Sequence, residues 1–149
     1  MNGEDDLGSP LRARLVYQLK RTLLDLEDLH AEHLAPSGVN ARELAVLLFL
    51  DGREPESQQQ AAARLGVDRT TMVALLDGLQ SKGLVARQPD AADRRRNVVA
   101  LTDAGRRTLR TATAASDQAE QHLLDGLTEP EVRQLRALLG RVAGRRPQG

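Results

Sequence analysis

Residues 57–101 read SQQQAAARLGVDRTTMVALLDGLQSKGLVARQPDAADRRRNVVAL, and this stretch decides the fold of the 149-residue chain. Ser57 and Gln60 stand three residues apart and predict a capping box that opens a short helix, which Gly66 suits as its left-handed end. Asp68 predicts the cap of a second helix with its apolar residues on one face. Two short helices joined by a tight glycine-containing turn are typical of a helix-turn-helix.

A β-hairpin is predicted directly after the helix-turn-helix. Residues 84–87 and 97–101 have the composition of short strands, and a long polar segment separates them. That segment contains Asp93-Arg94-Arg95-Arg96, so the tip of the hairpin carries three guanidinium groups. Residues 40–101 are therefore expected to form a winged helix-turn-helix, a domain of the DNA-binding type.

Further helices are predicted on both sides of this domain from periodicity and capping residues. The first follows a leucine stripe from about Leu11 to Leu34. The residues that open the other helices are Asn40 with Glu43, Thr102, and Thr128 with Glu131. The expected fold class is therefore mainly α with a small β-hairpin wing, and the two ends, 1–10 and 144–149, are expected to be flexible.

The outer helices, 11–35 and 103–143, carry more apolar surface than a small winged domain can cover. In a monomer their leucine stripes would stay exposed to water, which favours packing against a second copy of the chain. We therefore expect these helices to form an isologous twofold dimer, with residues 11–143 acting as one unit.

Composition excludes several classes of protein. The chain has no cysteine, which removes disulfides, thiolate catalysis and cysteine-based metal sites. One tyrosine, one phenylalanine and no tryptophan leave no aromatic platform for single-stranded nucleic acid. No apolar run reaches the roughly 18 residues of a membrane span, and the acidic start is unlike a secretory signal, so a cytoplasmic location is expected.

The net charge is zero, yet basic residues are concentrated in one region. Residues 87–110 carry seven basic and three acidic side chains, whereas the rest of the chain is balanced or acidic. Taken alone, an arginine cluster on a loop is typical of a solvated surface. Its position after a helix-turn-helix favours DNA instead, because a narrow minor groove attracts guanidinium groups.

The second helix of a helix-turn-helix normally lies in the major groove. Once its apolar face is buried, Arg69, Thr70, Val73, Ala74 and Asp77 would face outward. Arg69 and Thr70 suit base edges or phosphates, and Val73 and Ala74 can meet thymine methyl groups. The predicted DNA-binding residues are Arg69, Thr70, Thr71, Val73, Ala74, Asp93, Arg94, Arg95 and Arg96.

Four segments, in this order, resemble the MarR family (multiple antibiotic resistance regulators). They are Leu65-Gly66-Val67-Asp68-Arg69-Thr70-Thr71, Leu79-Gln80-Ser81-Lys82-Gly83-Leu84-Val85, Asp93-Arg94-Arg95 and Leu101-Thr102-Asp103-Ala104-Gly105, and the match spans roughly residues 11–143. The resemblance implies a bacterial, homodimeric winged-helix regulator of transcription, often a repressor that a small lipophilic or phenolic ligand releases from its operator. It also implies that Asp93 orients a neighbouring guanidinium by an ion pair, while Arg94 or Arg95, with Arg95 favoured, enters the minor groove.

The second helix departs from the pattern of the family. Val73, Ala74 and Gly78 stand where relatives commonly carry polar or basic residues, and Asp77 would repel a phosphate unless an arginine or lysine neutralises it. The alternative interpretation is a winged-helix dimer that serves as a protein-interaction or ligand-sensing module, with weak or no DNA binding.

An effector pocket in this family would lie between the dimer helices and the winged domain, which points to Tyr17, Leu44, Leu48 and Phe49. The same residues also suit a plain hydrophobic core. Ligand identity does not follow from the sequence.

Three histidines, His30, His33 and His122, are the weak candidates for a metal site. His30 and His33 lie three residues apart on one helix face, and the competing interpretation is a partly exposed polar patch. The chain has no glycine-rich phosphate loop and no nucleophile elbow, so neither a cofactor nor an enzymatic activity is expected.

Overall fold

The computed structural model describes residues 8–52 and 56–144. Seven α-helices are described: α1 Ser9–Arg12, α2 Leu15–Leu34, α3 Ala41–Leu50, α4 Gln58–Leu65, α5 Arg69–Ser81, α6 Asp103–Leu123 and α7 Glu129–Ala143. A short 3-10 helix, Ala35–Ser37, follows α2. Three strands accompany them: β1 Glu56–Ser57, β2 Val85–Pro89 and β3 Asn97–Leu101. This order confirms the predicted fold class, a mainly helical chain with a small β-hairpin wing.

The predicted helix starts are confirmed by the hydrogen bonds that cap them. Three capping boxes are complete: Asn40 with Glu43, Ser57 with Gln60, and Thr128 with Glu131. In each pair, the side chain of the first residue accepts from the backbone amide of the second. The side chain of the second residue accepts from the backbone amide of the first. These bonds satisfy amide groups that the first turn of a helix leaves without a partner.

The first helix differs from the prediction at its amino end. The expected continuous helix from Leu11 is interrupted, because α1 ends at Arg12 and α2 begins at Leu15. The amide of Arg14 bonds to the carbonyl of Leu11 at 3.0 Å, a tight turn in place of the α-helical pattern. The leucines keep their helical spacing across this break. The sequence did not reveal the break because the spacing of side chains does not show which backbone hydrogen bonds form. Helix α1 lies partly within the segment 1–10 expected to be flexible, and residues 1–7 and 145–149 lie outside the described residues.

The sheet contains one strand more than the sequence predicted. Its order is β1-β3-β2, and both pairs of neighbours are antiparallel. Strand β1 has only two residues, which lie opposite Val99 and Val98 of β3. A two-residue strand has no alternating pattern of its own, so only its pairing with β3 identifies it.

The chain divides into two compact units. The central unit spans His30–Asp117, and the terminal unit comprises the described residues before and after it. The core of the central unit includes Met72, Leu76 and Leu79 of α5, which are fully buried. The predicted apolar face of α5 is therefore confirmed, and its opposite face is left for other contacts.

The terminal unit leaves most of its large apolar side chains exposed. Helix α7 has no buried residue, and Leu34, at the end of α2, is the one buried residue in that helix. Leu15 is 65% exposed, Val16 70% and Val142 69%. None of the described helices is long and apolar enough to cross a membrane.

Candidate nucleic-acid interface

The wing tip is shaped by two carboxylates that accept hydrogen bonds from the backbone. Asp93 Oδ1 accepts from the amide of Arg95 at 3.1 Å, and Asp90 Oδ1 accepts from the amide of Ala92 at 3.0 Å. The amide of Arg96 also bonds to the carbonyl of Asp93 at 3.0 Å. These local bonds fold the segment between β2 and β3 into a turn whose arginines are exposed.

The role of Asp93 therefore differs from the expected one, which was to orient a neighbouring guanidinium by an ion pair. Among the residues that the structure describes, its carboxylate bonds to the Arg95 amide and forms no ion pair with a guanidinium. The physical reason is proximity along the chain, since a carboxylate two residues before an amide closes a turn at once. Asp93 fixes the backbone from which the guanidinium groups project.

A cationic groove lies between α4, α5 and the wing. Its volume is about 400 Å³, and its lining comprises Ser57, Gln58, Gln59, Gln60, Arg69, Arg95, Arg96 and Asn97. No carboxylate is among these residues, and three of them are arginines without an ion pair to any described residue. The amino end of α4 adds partial positive charge to the same groove. Such a surface suits the phosphates of a nucleic acid.

The structure brings together predicted residues from two distant parts of the sequence. Arg69, at the start of α5, and Arg95 and Arg96, in the wing, line this one groove. Thr70 and Ala74 are exposed on α5, and Arg94 is exposed on the wing. Val73 is half-buried, so less of it is available to a base than the sequence suggested.

Thr71 and Asp68 are occupied with capping α5. The carboxylate of Asp68 accepts from the Thr71 amide at 2.8 Å and from the Thr71 hydroxyl at 2.7 Å. Both bonds lower the pKa of Asp68 below the usual value of an aspartate, and the bond from the Thr71 amide has the larger effect. Thr71 thus holds the amino end of the helix in place, and its hydroxyl already has an acceptor within the chain.

Arg87 of β2 is a residue of this surface that sequence analysis missed. Its Nη2 lies 2.7 Å from Oδ1 of Asp77, its Nε donates to Oε1 of Gln58 at 2.8 Å, and its Nη1 donates to Gln80. Asp77 was expected to need a cation to neutralise it, and Arg87 provides one. The two residues are ten positions apart and belong to different elements, α5 and β2, so no spacing rule for a helix links them.

The base of the wing is tied to the start of α6. The hydroxyl of Thr102 donates to the carbonyl of Gly83 at 2.6 Å and accepts from the amide of Gly105 at 3.0 Å. A Cβ atom added at Gly105 would overlap the carbonyl oxygen of Leu84. Glycine is required here because the backbone of α6 passes directly over the chain that enters β2.

The residues expected to line an effector pocket separate into different environments. Leu44 belongs to the buried core and Phe49 packs against it, as the alternative interpretation had it. Tyr17 is half-buried on α2 in the terminal unit. Leu48 is 50% exposed and lines an open cavity of about 560 Å³ between α3 and α6. The other residues that line this cavity are Asp51, Arg106, Leu109, Arg110, Thr113, Ala114 and Asp117.

The histidines do not assemble a metal site in the described part of the chain. No group of three or more His, Asp or Glu side chains there could hold a metal ion. His30 Nε2 lies 2.9 Å from the hydroxyl of Ser116, a hydrogen bond between α2 and α6 within the central unit.

Comparisons with known proteins agree with this geometry. A family model described as MarR family matches residues 37–96. The chain is 32% identical to a transcriptional repressor, CouR, bound to a 23-mer DNA duplex, over 91% of this chain and 96% of that one, with a TM-score of 0.84. CouR from Rhodococcus jostii bound to p-coumaroyl-CoA is 29% identical, over 95% and 100% of the two chains, with a TM-score of 0.79. A mutant MarR from Escherichia coli complexed with operator DNA is 28% identical, over 86% and 92%, with a TM-score of 0.76.

Proposed function

The chain belongs to the MarR family of winged helix-turn-helix transcription regulators, and from this premise we propose that it is a homodimeric repressor of a pseudo-palindromic operator. Members of this family regulate transcription and are not enzymes. One observation supports DNA binding above all: Arg69 of α5 and two wing arginines line a single groove, and none of the described residues that line it is a carboxylate. A duplex seated there would meet the recognition helix and the wing together.

The contacts divide between two grooves of the duplex. Arg69 and Thr70 lie at the exposed start of α5, which supports contacts with base edges or phosphates in the major groove. The amide of Arg95 bonds to Asp93, and we expect the Arg95 side chain to enter the minor groove beside it. Because Val73 and Ala74 of α5 offer no hydrogen bond to a base, we expect affinity to depend strongly on phosphate contacts and therefore on salt.

The exposed face of the terminal unit supports dimerisation. Large apolar side chains on α2 and α7 are 40–70% exposed: Leu15, Val16, Leu19, Leu23, Leu24, Leu138, Leu139 and Val142. A patch of this kind on a monomer is unfavourable in water and marks a contact surface. A second copy that covers it would give the twofold arrangement that a pseudo-palindromic operator requires.

The decisive experiment is selection of bound duplexes from the genomic DNA of the source organism at about 0.15 M salt. A triple variant, Arg94→Ala with Arg95→Ala and Arg96→Ala, is run beside the parent. A second triple variant, Arg107→Ala with Arg133→Ala and Arg141→Ala, removes the same charge from exposed positions on α6 and α7 and serves as the matched control.

We expect the parent and the control to enrich one twofold-symmetric site. The wing variant should lose it, and the slope of log K against log salt should fall by about two to three, roughly one for each phosphate that the wing no longer neutralises. If both triple variants lost enrichment of the site equally, the loss would be explained by net charge alone. No enrichment by the parent would favour the alternative function, a winged-helix module that works without DNA.

Release by a small ligand is the second part of the proposal. The cavity beside Leu48 has apolar walls, and its lining includes the carboxylates of Asp51 and Asp117 and the guanidinium of Arg110, which has no ion pair with any described residue. The relative bound to p-coumaroyl-CoA supports an effector with an apolar body and a negative charge. Titration of p-coumaroyl-CoA into the protein–duplex complex should lower DNA affinity, and Arg110→Ala should weaken this response. A DNA affinity that does not change on titration would contradict release by this ligand, but not the proposed DNA binding.

A further inference from the structure

Arg87 lies where the wing meets both helices of the helix-turn-helix. We propose that it is a positioning residue for DNA binding, which fixes the wing against α4 and α5 and neutralises Asp77 on the recognition helix. The inference rests on the proposed function for its DNA-binding part. Its structural part, the position of the wing, can be measured without DNA.

The geometry uses all three nitrogens of the guanidinium. Nε donates to Gln58 of α4 at 2.8 Å, Nη1 donates to Gln80 of α5, and Nη2 bonds to Asp77 of α5 at 2.7 Å. The Arg87 side chain is only 21% exposed, so these bonds are partly shielded from water. The planar guanidinium of an arginine can donate to three acceptors at once, whereas the ammonium of a lysine is a single point charge on a flexible side chain.

The electrostatic consequence concerns Asp77. Its side chain is 62% exposed, and it follows Thr70 by seven residues, which places the two on the same face of α5, two turns apart. An unpaired carboxylate on that face would repel the phosphates of a bound duplex. The bond to Arg87 offsets this charge, so the acidic residue is compatible with a DNA-facing surface.

The mechanical consequence concerns the wing. Arg87 is the middle residue of β2 and lies opposite Val99 of β3. The chain leaves the wing tip through Arg96 and Asn97 directly into β3, so a bond that holds β2 against α5 also determines where Arg95 and Arg96 lie. The tie at Thr102 and Gly105 holds the base of the hairpin, and the pairing with β1 holds β3 at Val98 and Val99. Arg87 adds the bonds that join β2 to the side chains of α4 and α5.

The affinity test is a double-mutant cycle on the selected duplex, with Arg87→Gln, Asp77→Asn and the double variant. We expect Arg87→Gln to weaken binding about tenfold or more, because the wing is released and Asp77 is left unpaired. Adding Asp77→Asn should recover part of this loss, since the repulsive charge is removed. Arg87→Lys, which keeps the charge without the fork, should fall between the parent and Arg87→Gln.

The controls separate this role from general destabilisation. Arg107→Gln makes the same chemical change at an exposed position on α6 and should leave affinity within about twofold of the parent. If Arg87→Gln acted only by unfolding the domain, Asp77→Asn would not restore binding, and the unfolding temperatures would follow the affinities. Full affinity in Arg87→Gln, or no recovery in the double variant, would overturn the proposal.

The second measurement needs no DNA. Because the chain has no cysteine, Ala63→Cys on α4 with Ala91→Cys on the wing tip gives two unique spin-label sites, diluted with unlabelled protein. We expect a narrow distance distribution in the parent and a broader one in Arg87→Gln. An unchanged distribution would overturn the positioning role. If the parent binds no duplex, the proposed function fails first, and this distribution still decides whether Arg87 fixes the wing.

Discussion

Gly105 shows how one residue joins the wing to the rest of the central unit. A side chain at this position would overlap the carbonyl oxygen of Leu84, which is backbone and cannot turn aside. Within a helix, alanine ordinarily stabilises relative to glycine by up to about 1 kcal/mol, so the expected sign is reversed here by tertiary contact alone. The same reversal is not expected at Gly78, where a Cβ would make an ordinary contact with Glu43 at 3.8 Å.

We expect Gly105→Ala to lower the free energy of unfolding by about 1–3 kcal/mol, because α6 must move away from the chain entering β2. Chemical denaturation of the purified variants measures this change. Gly78→Ala is the control within the same unit, with no loss or a small gain in stability expected. Equal stability changes in the two variants would contradict the close approach of α6 to Leu84.

Glu43 and Lys82 form the other residue pair with a large expected effect. The Glu43 side chain is 8% exposed, and both of its oxygens lie within 3.0 Å of Lys82 Nζ, which also donates to the carbonyl of Gly38 at 2.8 Å. Breaking this pair leaves a carboxylate in a site with little water. The lysine thus ties the end of the recognition helix to the start of α3.

Lys82→Met should destabilise the protein by about 1–3 kcal/mol, less than for a fully buried pair because Lys82 is itself 43% exposed. Thermal and urea denaturation are the measurements. In the double variant with Glu43→Gln we expect part of the loss to be recovered, since the amide can still accept from Asn40 without a buried charge. A Lys82→Met variant as stable as the parent would show that the carboxylate is hydrated without its partner.

At the scale of the element, the helix caps make stability depend on pH. Thr71 lowers the pKa of Asp68 by its amide and then its hydroxyl, and Thr128 lowers the pKa of Glu131 in the same way. The hydrogen bond and charge of Arg106 lower the pKa of Asp103 at the start of α6. A carboxyl group whose pKa is lower in the folded state stabilises the protein above its unfolded pKa. That stabilisation is lost as the pH falls through the lowered value.

The unfolding temperature should therefore decrease on acidification from about pH 6 to about pH 3. Asp68→Asn keeps a residue that caps helices well but removes the titrating group, so its curve should be shallower than that of the parent. Glu129→Gln removes one exposed carboxylate of α7 outside the capping box of that helix, so it serves as a control and should follow the parent more closely. Parallel curves for the parent and Asp68→Asn would exclude this cap as a source of pH dependence.

At the scale of the whole molecule, the two units bury their apolar residues very differently. The central unit has a core of fully buried side chains from α3, α5 and the sheet. In the terminal unit, α7 buries none, and most leucines of α2 are exposed. Since exposed apolar area of this extent is unfavourable, we expect the terminal unit to gain its stability from a second copy of the chain.

The expected mass in solution at micromolar concentration is about 33 kDa, twice the 16.3 kDa of one chain. Leu19→Glu, at a position 50% exposed on the stripe, should shift the equilibrium toward the monomer, because a charge would have to lose its water in the interface. Gln18→Glu adds the same charge one position away and should have a smaller effect. Light scattering or sedimentation measures both, and a monomeric parent would contradict the dimer.

The sequence by itself determined the elements whose signals are local. Asn40 with Glu43, Ser57 with Gln60, and Thr128 with Glu131 could be predicted because a capping bond joins residues only three positions apart. The buried face of α5 followed from helical spacing, since one side of an amphipathic helix must meet the core. The arginines of the wing could be predicted for a similar reason, because a polar segment between two strands has to form a loop.

Only the tertiary structure decided which distant groups meet. The pairing of Arg87 with Asp77, the groove shared by Arg69 and Arg95, and the contact of Gly105 with Leu84 join residues whose spacing follows no helix or strand period. Strand β1 exists through its pairing with β3, and the role of Asp93 was set by the nearest amide rather than by a guanidinium. Local hydrogen bonds depend only on a short stretch of sequence. These contacts depend on how the completed helices and strands pack against one another, and no single segment of the sequence determines that packing.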